Sequence, residues 1–238
     1  MKEISILGIK VNDITKSETV DLINKFAEEK DKSHLIVTLG TEMVMAARED
    51  NDIKELINGA EAVCADGVGI VLASKIKKQQ IREKAAGVEI LEETVRQSAE
   101  TGKKIFFLGS KPGIAEKAAE KLREKYPGCN IAGTFHGYFK DDEEAKAEIR
   151  KASPDIIFIA LGFPRQEKWY REYGKELGIP VGIGVGGSFD VISGNIERAP
   201  SWMRKLCLEW LFRLIKEPAR WKRMLALPKF AIAVIMSK

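Results

Sequence analysis

A chain of 238 residues with 45% hydrophobic and 31% charged side chains is long enough to bury a sizeable core, and this balance excludes a disordered polymer. Three scattered cysteines (Cys64, Cys129, Cys207) and two histidines (His34, His136) argue against a disulfide framework and against a cysteine or histidine metal centre, so a reducing, cytoplasmic setting is expected. The net charge of +4 is unevenly placed: residues 198–238 hold ten Lys and Arg against Glu209 and Glu217, whereas the preceding residues hold 29 basic and 33 acidic side chains. The basic character therefore belongs to the tail and points to an anionic partner there.

The opening MKEISILGIKVND lacks the long apolar region and small-residue cleavage site of a signal peptide. Short β-branched apolar runs at 4–11, 35–39, 62–65, 104–108, 131–135, 156–161 and 181–185 predict strands. Helical patterns at 16–29, 42–58, 68–76, 88–100, 114–125, 143–151 and 165–177 fall between most of them. This alternation predicts an α/β fold with a mainly parallel, Rossmann-like sheet and helices on both faces. Beyond Asn195 the alternation stops. Residues 201–216 read as a helix with a wide apolar face (Trp202, Leu206, Trp210, Leu211, Leu214) and a polar line through Lys205, Glu209, Arg213 and Lys216. Pro218 interrupts it, and 219–227 reads as another short helix. The apolar run at 230–236 is far shorter than the ~20 residues of a spanning helix. The expected division is an α/β catalytic domain over 1–195 and a basic amphipathic helical appendage over 196–238.

In open α/β sheets, ligands bind beyond the carboxyl ends of the strands. The residues expected there include Thr38 before Gly40, Asp66 before Gly67, Gly109 before Ser110, Gly162 ahead of Arg165-Gln166-Glu167, and Gly186-Gly187-Ser188 ahead of Asp190. Glycines allow close backbone approach, and a helix start offers free N–H groups to phosphate. As a set, these loops predict a nucleotide or phosphate cleft. Asp66 ends an apolar strand, where a carboxylate can serve as a general base, although it can equally cap a helix starting near Val68. Asp190 has the same ambiguity. Glu167 at a helix start satisfies the helix dipole in any case. Gly182 to Gly187 formally fits the dinucleotide pattern G-x-G-x-x-G, but it lies within the last strand rather than after the first and is discounted. Asp50-Asn51-Asp52 reads as a helix cap rather than a metal motif.

Taken in order, these stretches carry a resemblance. Asp66-Gly67-Val68-Gly69-Ile70, Gly133-Thr134-Phe135-His136-Gly137-Tyr138-Phe139, Leu161 to Glu167, Gly184 to Asp190, and Arg198-Ala199-Pro200 followed by Leu208 to Leu214 resemble the WecG/TagA/CpsF glycosyltransferases, from near Ile4 through Phe230. Glu217-Pro218-Ala219-Arg220 with Arg223 looks closest to the teichoic-acid branch. The resemblance implies an inverting transfer that needs neither metal nor cofactor. N-acetylmannosamine would pass from UDP to the 4-hydroxyl of undecaprenyl-diphosphate-linked N-acetylglucosamine. It implies Asp66 as base, Thr38 and Gln166 at the sugar, and Tyr138, Gly186, Gly187, Ser188 and Asp190 around UDP. Arg213, Arg220 and Arg223 would lie near the diphosphates, with the tail completing the site. The chain departs from the family pattern at Gly40, Lys84 and Glu89.

The expected partners are a UDP-sugar, a lipid-diphosphate-linked acceptor and, through the tail, the inner face of the cell membrane, where the chain would be peripheral. Nucleic acid is set aside because the tail's aromatic residues share faces with Leu and Met. An apolar tail face also suits packing against a second copy. Still open at this level are a different donor, such as the uronic acid or another UDP-hexose, a dehydrogenase or methyltransferase, and a non-enzymatic basic membrane adaptor.

Overall fold

The computed structural model describes residues 1–200, 202–203, 208–216 and 225–237, with residue 213 described only along its backbone. A hairpin, β1 (Glu3–Ile6) and β2 (Ile9–Asn12), precedes helix α1 (Lys16–Phe26). Next come β3 (His34–Leu39), α2 (Thr41–Glu49), α3 (Asn51–Asn58), β4 (Ala62–Ala65), α4 (Val68–Ile76) and α5 (Gly87–Thr101). The sequence continues through β5 (Ile105–Gly109), α6 (Ile114–Lys125), β6 (Ile131–Phe135), α7 (Asp142–Ala152), β7 (Ile156–Ala160), α8 (Arg165–Tyr173), β8 (Val181–Gly184) and α9 (Ser188–Ile192). Two helices follow among the described residues of the tail, α10 (Glu209–Lys216) and α11 (Ala226–Met236).

Strands β3 to β8 form one parallel sheet in the order β4-β3-β8-β7-β5-β6. Its side chains alternate between two apolar layers, as a two-residue period requires. Leu35, Val37, Leu39, Phe106, Leu108, Ile157 and Ile159 face the layer built by the hairpin, α2, α3, α4, α7, α8 and α11. Ile36, Cys64, Ile105, Phe107, Phe158, Val181 and Ile183 face α1, α5, α6 and α9. Phe106, Phe107, Phe158 and Phe189 are almost wholly buried, each contributing roughly 1.5–3 kcal/mol.

Three sequence expectations change. The run at 4–11 is not one strand of the sheet. Leu7 and Gly8 both adopt positive φ, 53° and 84°, and fold it into a separate antiparallel hairpin. That hairpin lies beside β4, where the Asn12 Oδ1 accepts the Val63 N–H at 2.8 Å. The pattern at 42–58 is two helices, because Asp50 caps the second by accepting from the N–H groups of Asp52 (2.8 Å) and Ile53 (3.2 Å). The helix expected at 201–216 is not continuous, since Leu208 lies outside helix. The run at 230–236 belongs to a helix, α11, whose Pro228 sits in the first turn, where no intrahelical N–H bond is lost. The short helix expected at 219–227 lies mostly outside the described residues.

Strand β8 carries glycine on the face beneath α8. A Cβ at Gly182 would stand 2.2 Å from the Tyr170 ring, and one at Gly184 would stand 2.4 Å from Gln166 Nε2 and 2.7 Å from Glu167 Oε1. The G-x-G run is thus a helix-packing device, not a dinucleotide loop. The close approach buries Glu167 completely and leaves its Oε2 without a partner. Burial pushes this carboxyl up to about 7, from an ordinary value of 4.5. Between those values the folded state keeps a proton that the unfolded state releases, so stability falls as pH rises through that window. Above about pH 7 the full penalty persists, on the order of 3 kcal/mol.

Two outcomes follow from this packing. Gly182→Ala is expected to lower stability by about 1–3 kcal/mol, and an unchanged melting temperature would contradict the close approach. Replacing Glu167 with Met is expected to give a melting-temperature advantage that grows from about pH 5 to about pH 8. A flat difference across that range would mean that the carboxyl is not buried in its neutral form.

Candidate active site

The loops leaving the carboxyl edge of the sheet part company. Strands β3 and β7 lead to α2 and α8 in one layer, whereas their neighbours β8 and β5 lead to α9 and α6 in the other. Adjacent loops therefore diverge along β3-β8-β7-β5, which opens a crevice at that edge.

Thr38, near the end of β3, is buried, and its hydroxyl donates to the Gly184 carbonyl on β8 at 2.7 Å. Asp66 follows β4 and is half-buried. The N-cap position of α4 is held by the next residue, Gly67. Asp66 Oδ1 accepts from the N–H of Gly87, the first residue of α5, at 3.2 Å. A Cβ on Gly87 would touch Thr38 at 3.5 Å, so Gly87 joins Asp66 to Thr38. Cys64, two residues before Asp66, is fully buried. Its thiol is pushed up to about 12, first by burial and then by the Asp66 charge, which rules it out as a thiolate nucleophile.

Gln166, buried in the first turn of α8, completes this group. Its Oε1 accepts from the N–H of Gly186 at 3.2 Å, and its Nε2 donates to Glu167 Oε1 at 2.8 Å. Thr38, Asp66, Gln166 and Gly186 thus form one connected cluster.

A second cluster lies over β5, β6 and β8. Gly109 has φ 130°, and a Cβ there would lie 2.5 Å from the Ala160 backbone. The next residue, Ser110, donates from its hydroxyl to Asp190 Oδ2 at 3.0 Å. Asp190 Oδ1 accepts from Asn195 Nδ2 at 2.8 Å, so this carboxylate ties loops together. Gly187 is the N-cap of α9, and the Ser188 hydroxyl donates back to the Val185 carbonyl at 2.7 Å. The Gly137 N–H donates to the Ser110 carbonyl at 2.8 Å, placing the β6–α7 loop against the β5–α6 loop with Tyr138 exposed. The carbonyl of Gly162 accepts from the Gln166 N–H at 3.0 Å and opens α8.

Both charged departures from the family pattern face the chain beyond α9. Lys84 Nζ lies 3.4 Å from Glu209 Oε2 on α10, and Arg198 Nη2 lies 2.5 Å from Glu89 Oε1. Lys216 pairs with Glu197 at 2.8 Å. Arg220 and Arg223 lie outside the described residues, and of Arg213 only its backbone place in α10 is described. Among the described residues, no three His, Cys, Asp or Glu side chains gather as a metal-binding group. Sequence reasoning missed the bond from Gly87 to Asp66, the bond from Ser110 to Asp190 and the burial of Glu167. Gly87 lies 21 residues beyond Asp66, and an acid at a helix start carries no sign that a glycine strand will bury it.

The chain matches the family model described as "Glycosyl transferase WecG/TagA/CpsF family" over residues 4–238. It is 37% identical over 216 residues to the N-acetylglucosaminyldiphosphoundecaprenol N-acetyl-beta-D-mannosaminyltransferase of Bacillus subtilis, covering 91% of this chain and 84% of that protein. The protein of the same name from Bacillus spizizenii is 35% identical over 207 residues, covering 87% and 80%. The one from Staphylococcus aureus strain MW2 is 33% identical over 238 residues, covering 99% and 93%. A match over nearly the whole chain, on a parallel sheet whose strand ends gather Thr38, Asp66 and Gln166, makes this chain a member of the WecG/TagA/CpsF glycosyltransferase family.

Proposed function

We propose that the chain is an inverting N-acetylmannosaminyltransferase. It moves N-acetylmannosamine from UDP to the 4-hydroxyl of undecaprenyl-diphosphate-linked N-acetylglucosamine, forming the linkage disaccharide of wall teichoic acid. The observation that carries this reading is the Thr38–Asp66–Gln166 cluster at the strand ends of a chain whose relatives bear that enzyme's name along most of their length.

In this mechanism Asp66 takes the proton of the acceptor hydroxyl as that oxygen bonds to the anomeric carbon. The bond from that carbon to the phosphate oxygen breaks, and UDP leaves with the electron pair. Attack from the side opposite the leaving group inverts the centre. The Gly87 N–H orients the Asp66 carboxylate for this task. Thr38 donates its hydrogen to Gly184, so its oxygen meets the sugar as an acceptor. Gly109, Tyr138, Gly162, Gly186, Gly187, Ser188 and Asp190 surround UDP. Helix N-termini and the tail arginines Arg213, Arg220 and Arg223 stabilise its growing charge. The Lys84–Glu209 contact supports this role for the tail, because it sets α10 beside the segment that delivers Gly87 to Asp66.

A lipid-linked acceptor requires work at the bilayer surface, on its cytoplasmic side. No helix among the described residues is long and apolar enough to cross a membrane. Peripheral binding is supported by the exposed apolar side chains Ile232, Ile235 and Met236 of α11, beside the exposed Leu72 and Ile76 of α4. A groove of about 420 Å³ between α2 and α11 adds the cations Arg48 and Lys229 to this apolar surface.

With UDP-N-acetylmannosamine and the lipid-diphosphate acceptor, the wild-type chain is expected to release UDP. Asp66→Asn is expected to slow this by roughly 10²–10⁴, and Arg220→Ala is expected to slow it as well. Near-wild-type turnover by Asp66→Asn removes Asp66 from the base role. In flotation with vesicles containing anionic phospholipid, the full chain carrying both Ile232→Glu and Ile235→Glu is expected to bind less than wild type. Equal binding by the two proteins would sink the membrane reading.

A further inference from the structure

One buried ionisable group has no part in the chemistry so far. Glu167 is fully buried in the first turn of α8, with its Oε2 unpartnered. An acid favoured only by the helix dipole gains as much at the surface, so the dipole does not account for its burial. Nor does packing, which a methionine of similar volume would satisfy without an orphaned oxygen.

Its side-chain hydrogen bond is informative. Glu167 Oε1 accepts from Gln166 Nε2 at 2.8 Å, while Gln166 Oε1 accepts from the Gly186 N–H at 3.2 Å. The Gly186 backbone N–H only donates, so it takes the oxygen end of the Gln166 amide, and Glu167 Oε1 accepts from the nitrogen end whether the carboxyl is ionised or carries its proton on the unpartnered Oε2. The two partners therefore fix the Gln166 amide in one of its two orientations, with one Nε2 hydrogen on Glu167 and the second available to a sugar oxygen. Both side chains press on Gly184, where a Cβ would stand 2.4 Å from Gln166 Nε2 and 2.7 Å from Glu167 Oε1. The carbonyl of that same Gly184 accepts from Thr38. One carboxyl thereby braces Gln166 directly, and lies against the strand that holds Thr38 and leads to Gly186.

We propose that Glu167 is a positioning residue: it locks the Gln166 amide so that the donor sugar always meets an N–H donor and never a carbonyl. This role rests on the reading of Gln166 as a sugar-site residue. It predicts a site that is set before substrate arrives, at a cost to the fold.

The test uses the full chain with Glu167→Met and Glu167→Gln, each made with Gln166 intact and with Gln166→Ala. Glu167→Met is expected to keep or raise the melting temperature yet lower kcat/KM for the UDP-sugar by about tenfold or more. Glu167→Gln, which retains an acceptor oxygen, is expected to recover most of that loss. In the Gln166→Ala background the Glu167→Met penalty is expected to vanish, because the partner through which it acts is gone. Independently of turnover, the two side-chain amide protons of Gln166 are expected to be well separated in the NMR spectrum of the wild type. In Glu167→Met they are expected to draw together. Penalties that multiply in the double variant, or a Gln166 signal that ignores Glu167→Met, overturn the inference. A wild type with the expected amide signature but no transfer overturns the transferase reading and leaves the hold on Gln166 standing.

Discussion

The seat of α8 on β8 is the constraint on which the site depends. Two glycines on one face of a central strand remove the side chains that would hold the helix away, and the Tyr170 ring, Gln166 and Glu167 fill the space. A helix standing further off would leave Gln166 short of the Gly186 N–H and would let water reach Glu167. The parallel order of the sheet then determines what else arrives at that point. Because β3 pairs with β8, Thr38 can bond the carbonyl of the same Gly184 that bears α8. The core layers supply the stability that tolerates a buried, half-satisfied carboxyl.

Electrostatics organises the opposite wall. Asp66 is oriented by a backbone N–H from the start of α5, reached only after the chain has made all of α4 and the loop that follows it. That loop and the first turn of α5 are gripped by ion pairs to the chain beyond α9, through Lys84–Glu209 and Glu89–Arg198. These contacts are partly exposed, so each is worth little alone. Their value lies in placement, since they register the appendage against the residues flanking Gly87.

The α/β alternation was readable because β-branched runs and amphipathic helical stretches differ in period, and α4 and α6 match their expected bounds. The misreadings have local causes. Leu7 gives no warning of a left-handed turn, since leucine seldom adopts one, so the hairpin was hidden in a single apolar run. At the site, the strand-end rule located Thr38, Asp66, Gln166 and Gly186, because glycine and polar residues after apolar runs mark loops at the sheet edge. It could not show which of these touch, for that depends on strand order, and the order β4-β3-β8-β7-β5-β6 is written nowhere in the local sequence.

The hairpin next to β4 has a bearing on what that strand can still pair with. An open edge of a parallel sheet offers unpaired N–H and C=O groups to any passing strand. At Val63 that offer is withdrawn, because the side chain of Asn12 takes the N–H itself. Acyl chains can cover an apolar helix such as α11, but hydrocarbon cannot satisfy a bare strand edge. A protein that shows an apolar helix surface gains when its own first residues occupy part of the β4 edge, because a passing strand then finds the Val63 N–H already taken.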